Sequence, residues 1–148
     1  TFGGVYKMLP FDNRVVIVNL SGREVRDIIA SQARKGHRRA GFSGMSVFVS
    51  CNNDVMDITL QLDDGRELAD DAGVTLLAND FLALGGDDVL TPVIPDEGFE
   101  IDEGMPLIRD VLVDWFKGQS GQLSPDKFES TASPRWNLPD SVPDTCRL

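Results

Sequence analysis

Histidine is almost absent from this chain of 148 residues, which has only His37. A hydrolytic dinuclear metal centre needs several His and Asp donors converging within bonding distance, so no such donor set is expected here. His37 lies in A-R-K-G-H-R-R with no acidic partner beside it and reads as a solvated loop side chain. Cysteine is equally scarce: Cys51 and Cys146 are too few for a disulfide scaffold. Two readings of the pair stay open, one bridge pinning the tail in an oxidising compartment or two unrelated thiols. No uninterrupted apolar run approaches membrane-spanning length. Basic residues are outnumbered, 14 Lys and Arg against 24 Asp and Glu, giving a net charge of -10. Such a surface argues against binding a nucleic-acid polymer, which draws on basic side chains to release counterions. It does not exclude a single nucleotide held by its base and ribose.

Other chemistries are missing as well. There is no Walker-type glycine loop and no G-x-S-x-G. The stretch D-D-G-R-E at residues 63–67 falls far short of an EF-hand loop. Neither cysteine has a neighbouring His or basic pair to activate it. The chain by itself therefore reads as lacking catalytic machinery. Its first residues, T-F-G-G-V-Y-K, carry neither an initiator Met nor a signal peptide, as expected of a fragment or processed chain.

What is present describes one α+β domain with a mixed, largely antiparallel sheet packed by helices. A short helix is expected over residues 1–8, capped by Thr1 and stopped ahead of Pro10. Residues 14–20, R-V-V-I-V-N-L, read as a well-buried strand. Ser21 and Glu24 form a capping-box pattern opening a helix with Val25, Ile28, Ile29 and Ala33 on one face and Gly36 as its stop. Strands are expected at residues 45–50, 55–62 and 74–78, with Asp64-Gly65 as a hairpin signal. Pro106 suits the first position of a last helix, whose Trp115 and Phe116 read as core and which Gly118 ends. Residues 127–148 form a Pro-rich tail, expected to be extended, with Trp136 as its one large anchor. The basic run Arg34, Lys35, His37, Arg38 and Arg39 reads as a solvated loop behind a helix C-terminus, where the dipole favours cations.

Two stretches do not fit a plain core pattern. L-P-F-D-N at residues 9–13 and N-D-F-L-A-L-G-G-D-D at residues 79–88 each set an aromatic among turn-forming and polar residues. They supply two flat apolar faces, Phe11 and Phe81, and a carboxylate, Asp87, on a diglycine turn. A nucleoside needs such a set: surfaces on which a base stacks and a charged acceptor for sugar hydroxyls. On spacing alone, packing is the commoner role for Phe11 and Phe81, and a turn role the commoner one for Asp87.

In order along the chain, L-P-F-D-N, a Val-rich strand, the S-G-R-E-V helix, G-F-S-G-M with its strand, A-N-D-F-L-A-L-G-G-D and the closing P-L-I-R-D-V-L-V-D-W-F helix resemble the C-terminal domain of the 5'-nucleotidase family, which includes 2',3'-cyclic-nucleotide phosphodiesterases and UDP-sugar hydrolases. The resemblance covers residues 1–126 and implies a substrate-binding domain that follows a metallophosphatase domain. It implies that Phe11 and Phe81 stack on the base, that Asp87 accepts the ribose hydroxyls, that Asn13 lies near the base edge and that Gly41 lets backbone approach the ligand. The family's N-G-G-x-x-R arginine is expected upstream of Thr1. No cofactor is implied for this stretch; two divalent metal ions are implied for the upstream domain in cis, where they activate a water for attack on the phosphate. Implied too are a nucleoside or nucleotide ligand, a role in nucleotide catabolism, a periplasmic, secreted or cell-surface location, and no turnover by this stretch alone. The family pattern continues G-G-D-G, whereas this chain has Asp88 after Asp87, a non-glycine where positive φ is expected. Two alternatives stand beside this reading: a non-catalytic interaction domain on the same fold, and the matching domain of a relative that hydrolyses another phosphate or sulfur ester.

Overall fold

The computed structural model describes residues 2–35, 40–120, 124, 134–139, 142–143 and 145–146. Thr1 and the segment from Gly36 to Arg39 lie outside them, so the expected Thr1 cap, the Gly36 stop and His37 are not described. Helix α1 (Phe2–Met8) is followed by β1 (Val15–Ser21), α2 (Gly22–Ala33), β2 (Met45–Asn52), β3 (Val55–Leu62), β4 (Gly73–Asn79), a single turn of helix α3 (Asp80–Ala83), α4 (Ile108–Lys117) and a two-residue strand β5 (Trp136–Asn137). Two 3-10 turns, Gly86–Asp88 and Thr91–Val93, follow α3. The fold is α+β with largely antiparallel pairing, as the pattern along the chain implies.

The strands form two sheets. In one, β1 and β4 pair antiparallel, with Val15 opposite Asn79 and Ser21 opposite Gly73. In the other, β2 lies between β3, antiparallel, and β5, parallel. Period-2 alternation decides what is buried. Val16, Val18 and Leu20 of β1, Val47 and Val49 of β2, and Met56, Ile58 and Leu60 of β3 point inward onto Val25, Ile28, Ile29 and Ala33 of α2. Each such side chain contributes about 1.5–3 kcal/mol on burial. The apolar run of β1 is not buried on both faces as its composition suggests. A two-stranded sheet covered by α2 on one side leaves Ile17 and its cross-strand partner Leu77 exposed.

Several elements differ from the sequence expectation for identifiable reasons. The β2–β3 hairpin turns at Asn53-Asp54, both at positive φ, the two-residue geometry in which Asn and Asp are tolerated. Asp64-Gly65 does turn the chain back antiparallel on β3 as expected, with Leu62 N–H donating to Arg66 O (2.8 Å), Leu68 N–H to Leu60 O (2.8 Å) and Gln61 bridged to Glu67, but the returning segment is too short to form a strand. Helix α4 starts two residues after Pro106. Arg14 and Leu107 form an antiparallel bridge, with Val15 N–H donating to Pro106 O (3.0 Å) and Ile108 N–H to Asn13 O (2.9 Å), and this holds Leu107 extended. Trp115 and Phe116 are not core residues, at 42% and 37% exposed; α4 buries Arg109 in their place. In the tail, Trp136 Nε1–H donates to Ala40 O (3.1 Å), and Cys146 is disulfide-bonded to Cys51 with Cα atoms 6.1 Å apart. Of the two readings of the cysteines, the structure has the bridge.

The capping box forms as expected. Glu24 N–H donates to Ser21 Oγ (3.3 Å), and the Glu24 carboxylate accepts from Ser21 N–H and Oγ–H, both at 2.7 Å. Those two donors hold the Glu24 carboxyl below its ordinary range. A lowered folded value means that its stabilisation is complete above the unfolded pKa and disappears as pH falls through the folded one. Urea midpoints taken from neutral to acid pH are expected to fall less steeply for Glu24→Gln than for wild type; parallel curves would refute this.

Candidate functional site

The antiparallel register of β1 and β4 brings the two unusual stretches together. Val15 opens β1 opposite Asn79, the last residue of β4, so residues 9–14 enter and residues 80–88 leave at one end of one ladder. Asp80 N–H donates to Arg14 O (3.1 Å), extending the pairing past the strand ends. The second stretch then turns sharply. Asn79 caps α3, accepting from Leu82 N–H at 2.7 Å. Gly85 takes up φ 94°, which ends the helix and opens the 3-10 turn carrying Asp87.

Phe11 is 69% exposed and Phe81 49%. Both rings lie at the surface, where a ligand can stack on them, and neither belongs to the core. Phe81 is held from beneath by the diglycine turn: a Cβ at Gly86 would stand 2.5 Å from Phe81 Cζ and 2.6 Å from Cδ1. Gly86 thus lets the ring lie against the backbone; with a Cβ there the half-exposed ring would have to swing away. Asp87 and Asp88 both have left-handed backbones, φ 53° and 52°. The expected positive φ at Asp88 is thus present, and an aspartate adopts it.

A cleft of about 950 Å³ opens beside this turn, lined by Lys35, Ala40, Gly41, Leu82, Asp87, Asp88 and Val89. It brings Gly41 and Asp87 together, whereas Phe81 is not part of its lining. A Cβ at Gly41 would meet nothing within 4 Å, so no packing within the chain demands glycine there. Phe11 and Asn13 lie apart from the lining, on the segment that enters β1. Asn13 is half-buried, and its carbonyl is taken by Ile108 N–H.

Three residues that support these elements escape a reading by motif. Arg109 has a side chain only 10% exposed; its Nη2 donates to Asp12 Oδ1 (2.6 Å) and its Nη1 to Phe11 O (3.5 Å), with the guanidinium 4.7 Å from the centre of the Tyr6 ring. It ties the Phe11 segment to α4 and α1. The available signal is a cation in the first turn of a helix, where the macrodipole opposes it. Lys35, read from sequence as part of a solvated basic loop, instead donates from Nζ to Asp87 O (2.6 Å) and Asp88 O (3.2 Å). Arg34 of the same run donates to Ala30 O (3.0 Å) and Cys146 O (3.1 Å); His37, Arg38 and Arg39 lie outside the described residues. Gln32 is 1% exposed and bridges the cleft walls, donating from Nε2 to Asp88 O and accepting from Ala40 N–H, both at 3.3 Å.

Among the described residues, no group of three or more His, Cys, Asp or Glu is placed to hold a metal ion, and the donors present do not fit a dinuclear centre. No helix among them is long and apolar enough to cross a membrane.

The family model for the 5'-nucleotidase C-terminal domain matches residues 1–93, which takes in both aromatic stretches, the capped helix and the cleft. This chain belongs to that family. Among solved structures, the 5'-nucleotidase precursor from Thermus thermophilus superposes with a TM-score of 0.63 at 22% identity, over 93% of this chain and 27% of that one. The NAD nucleotidase of Haemophilus influenzae superposes with a TM-score of 0.50 at 17% identity, over 62% of this chain and 18% of that one. No curated protein matches the chain. At these identities the likeness establishes the 5'-nucleotidase C-terminal fold, and the chain spans about a quarter or less of either neighbour. It is the C-terminal domain of a family of hydrolases.

Proposed function

We propose that this 5'-nucleotidase C-terminal domain holds the nucleoside part of a nucleotide for hydrolysis by a metallophosphatase domain upstream in cis. Residues 1–126 act as the substrate-binding unit and 127–148 as its tail. One observation carries the reading: the β1–β4 register sets exposed Phe11 and exposed Phe81 at one end of one ladder, with Asp87 on the turn that seats the Phe81 ring. Phe11 and Phe81 stack on the base, Asn13 lies towards its edge, Asp87 accepts two ribose hydroxyls, and Gly41 leaves room for the ligand beside the cleft. Stacking suits any base, while the carboxylate gives charge-assisted hydrogen bonds that a deoxyribose makes less fully. Hydrolysis belongs to the upstream domain and its two divalent metal ions; this chain binds without turnover. The Cys51–Cys146 disulfide supports a periplasmic, secreted or cell-surface location, since such bonds persist in oxidising compartments.

The test is calorimetric titration of adenosine and AMP into wild type, Phe11→Ala, Phe81→Ala and Asp87→Ala. Removing either ring is expected to cost about 1–3 kcal/mol of binding. Asp87→Ala is expected to weaken adenosine more than 2'-deoxyadenosine. Equal signals in all four proteins would refute the site, and no binding by the wild type would refute the function.

A further inference from the structure

The turn that carries Asp87 has an unusual support. Asp87 and Asp88, like Asn53 and Asp54 of the β2–β3 turn, are consecutive side-chain-bearing residues with left-handed backbones, φ 53° and 52°, a conformation that aspartate tolerates at a cost that nearby contacts must offset. The turn's own hydrogen bonds are long: Asp88 N–H to Gly85 O at 3.2 Å and Val89 N–H to Gly86 O at 3.4 Å. What holds it comes from the C-terminal end of α2 and the residues just after it. Lys35 Nζ binds the carbonyls of Asp87 and Asp88 together, and buried Gln32 binds Asp88 O while its other amide atom takes Ala40 N–H. An ammonium shared by two successive carbonyls fixes the peptide between Asp87 and Asp88, and that peptide sets the direction of the Asp87 side chain. Gln32 also locks the spacing between this turn and the Ala40–Gly41 wall of the cleft.

We propose that Lys35 and Gln32 are positioning residues that hold the Asp87 carboxylate at the angle needed for a ribose diol, so that discrimination between ribonucleosides and 2'-deoxyribonucleosides is set at the end of α2. The inference rests on the nucleoside-binding reading and adds to it the source of its sugar selectivity. Lys35 and Gln32 bind the backbone of the Asp87 turn and not the Phe11 or Phe81 rings, so loss of either is expected to act on the sugar and leave stacking in place.

The experiment compares adenosine with 2'-deoxyadenosine by calorimetry for wild type, Lys35→Met, Gln32→Met and Lys35→Met/Asp88→Gly, and follows hydrogen exchange at the Asp88 and Val89 amides. Wild type is expected to favour adenosine. Lys35→Met is expected to lower adenosine affinity about tenfold, the scale of a lost charge-assisted hydrogen bond, and 2'-deoxyadenosine affinity by clearly less, since that sugar keeps only the 3'-hydroxyl for Asp87. Gln32→Met is expected to act in the same direction, and both amides to exchange faster in each single variant. Asp88→Gly is expected to recover the selectivity in the Lys35→Met background, because glycine adopts the left-handed backbone without a tether. Undiminished selectivity in Lys35→Met, an equal loss for both nucleosides, or unchanged amide exchange would overturn the inference while leaving nucleoside binding intact. Failure of the wild type to bind either nucleoside would overturn the proposed function and this inference with it. Lys35 is at the surface, so its variants decide the matter even if Gln32→Met does not fold.

Discussion

Breaking the Cys51–Cys146 bond, by reduction or as Cys51→Ser/Cys146→Ser, is expected to lower unfolding stability by about 4 kcal/mol. The two cysteines are 95 residues apart in sequence, so the bond removes a long loop from the unfolded ensemble. In the chain-entropy account a closed loop of this size is worth about 4–5 kcal/mol at 25 °C. For a chain this long, that corresponds to a fall in Tm on the order of 10 °C. The folded side of the balance points the same way. Cys146 is fully buried against the core, and its carbonyl accepts from Arg34 at the end of α2. Without the bond the end of the tail loses its covalent hold on β2, and Arg34 loses a partner one residue before Lys35. Urea denaturation with and without reductant measures the effect. Coincident transitions would show that the bridge does not stabilise the domain.

Gly22→Ala is expected to destabilise the domain by about 2–4 kcal/mol, although alanine is the better helix former by about 1 kcal/mol. Gly22 opens α2 where the loop after β3 crosses it. A Cβ there would collide with the carbonyl oxygen of Ala69 and stand 2.9 Å from its carbon and 3.2 Å from Leu68 Cγ. The obstructing atoms are backbone, so no rotamer change relieves the clash. Gly22 N–H also donates to Ala72 O (2.9 Å) and Arg23 N–H to Asp70 O (2.9 Å), which pins that loop in place. Overpacking therefore outweighs propensity. Gly41→Ala is the control: a Cβ there meets nothing within 4 Å, and it is expected to leave the denaturation midpoint unchanged. A Gly22→Ala protein as stable as wild type would refute the close approach.

The elements that can be read without coordinates are those specified by local chemistry. The Ser21–Glu24 capping box requires only residues three apart, and it forms with both of its reciprocal bonds. The alternation of Met56, Ile58 and Leu60 names its own inward face, which is buried. The last helix starts later than Pro106 implies because Leu107 is bridged to Arg14 at the head of β1, a distant partner that no local pattern announces. Trp115 and Phe116 depart from expectation for a related reason. An apolar helix face looks the same in sequence whether or not another element covers it, and on α4 these two side chains remain exposed.

The candidate site divides along the same line. Phe11, Phe81 and Asp87 stand out in sequence because aromatics beside turn residues break the core pattern, and their ordered spacing points to the family. Their supports do not stand out. Arg109, Lys35 and Gln32 each reach a backbone carbonyl far away in the chain, at separations of 98, 52 and 56 residues. A carbonyl acceptor is the same for every residue type, so such a contact leaves no trace in the identity of its partner.

By itself, then, the amino-acid order determined the α+β class, the capped helix, the shortage of histidine and the family, because each depends on composition or on residues close in the chain. Only the tertiary structure decided that Cys51 meets Cys146, that the two Phe segments leave one end of the same ladder, and that Lys35 and Gln32 reach the Asp87 turn. Each of these is a meeting of distant segments, settled by strand register and by how α2 packs across the sheets.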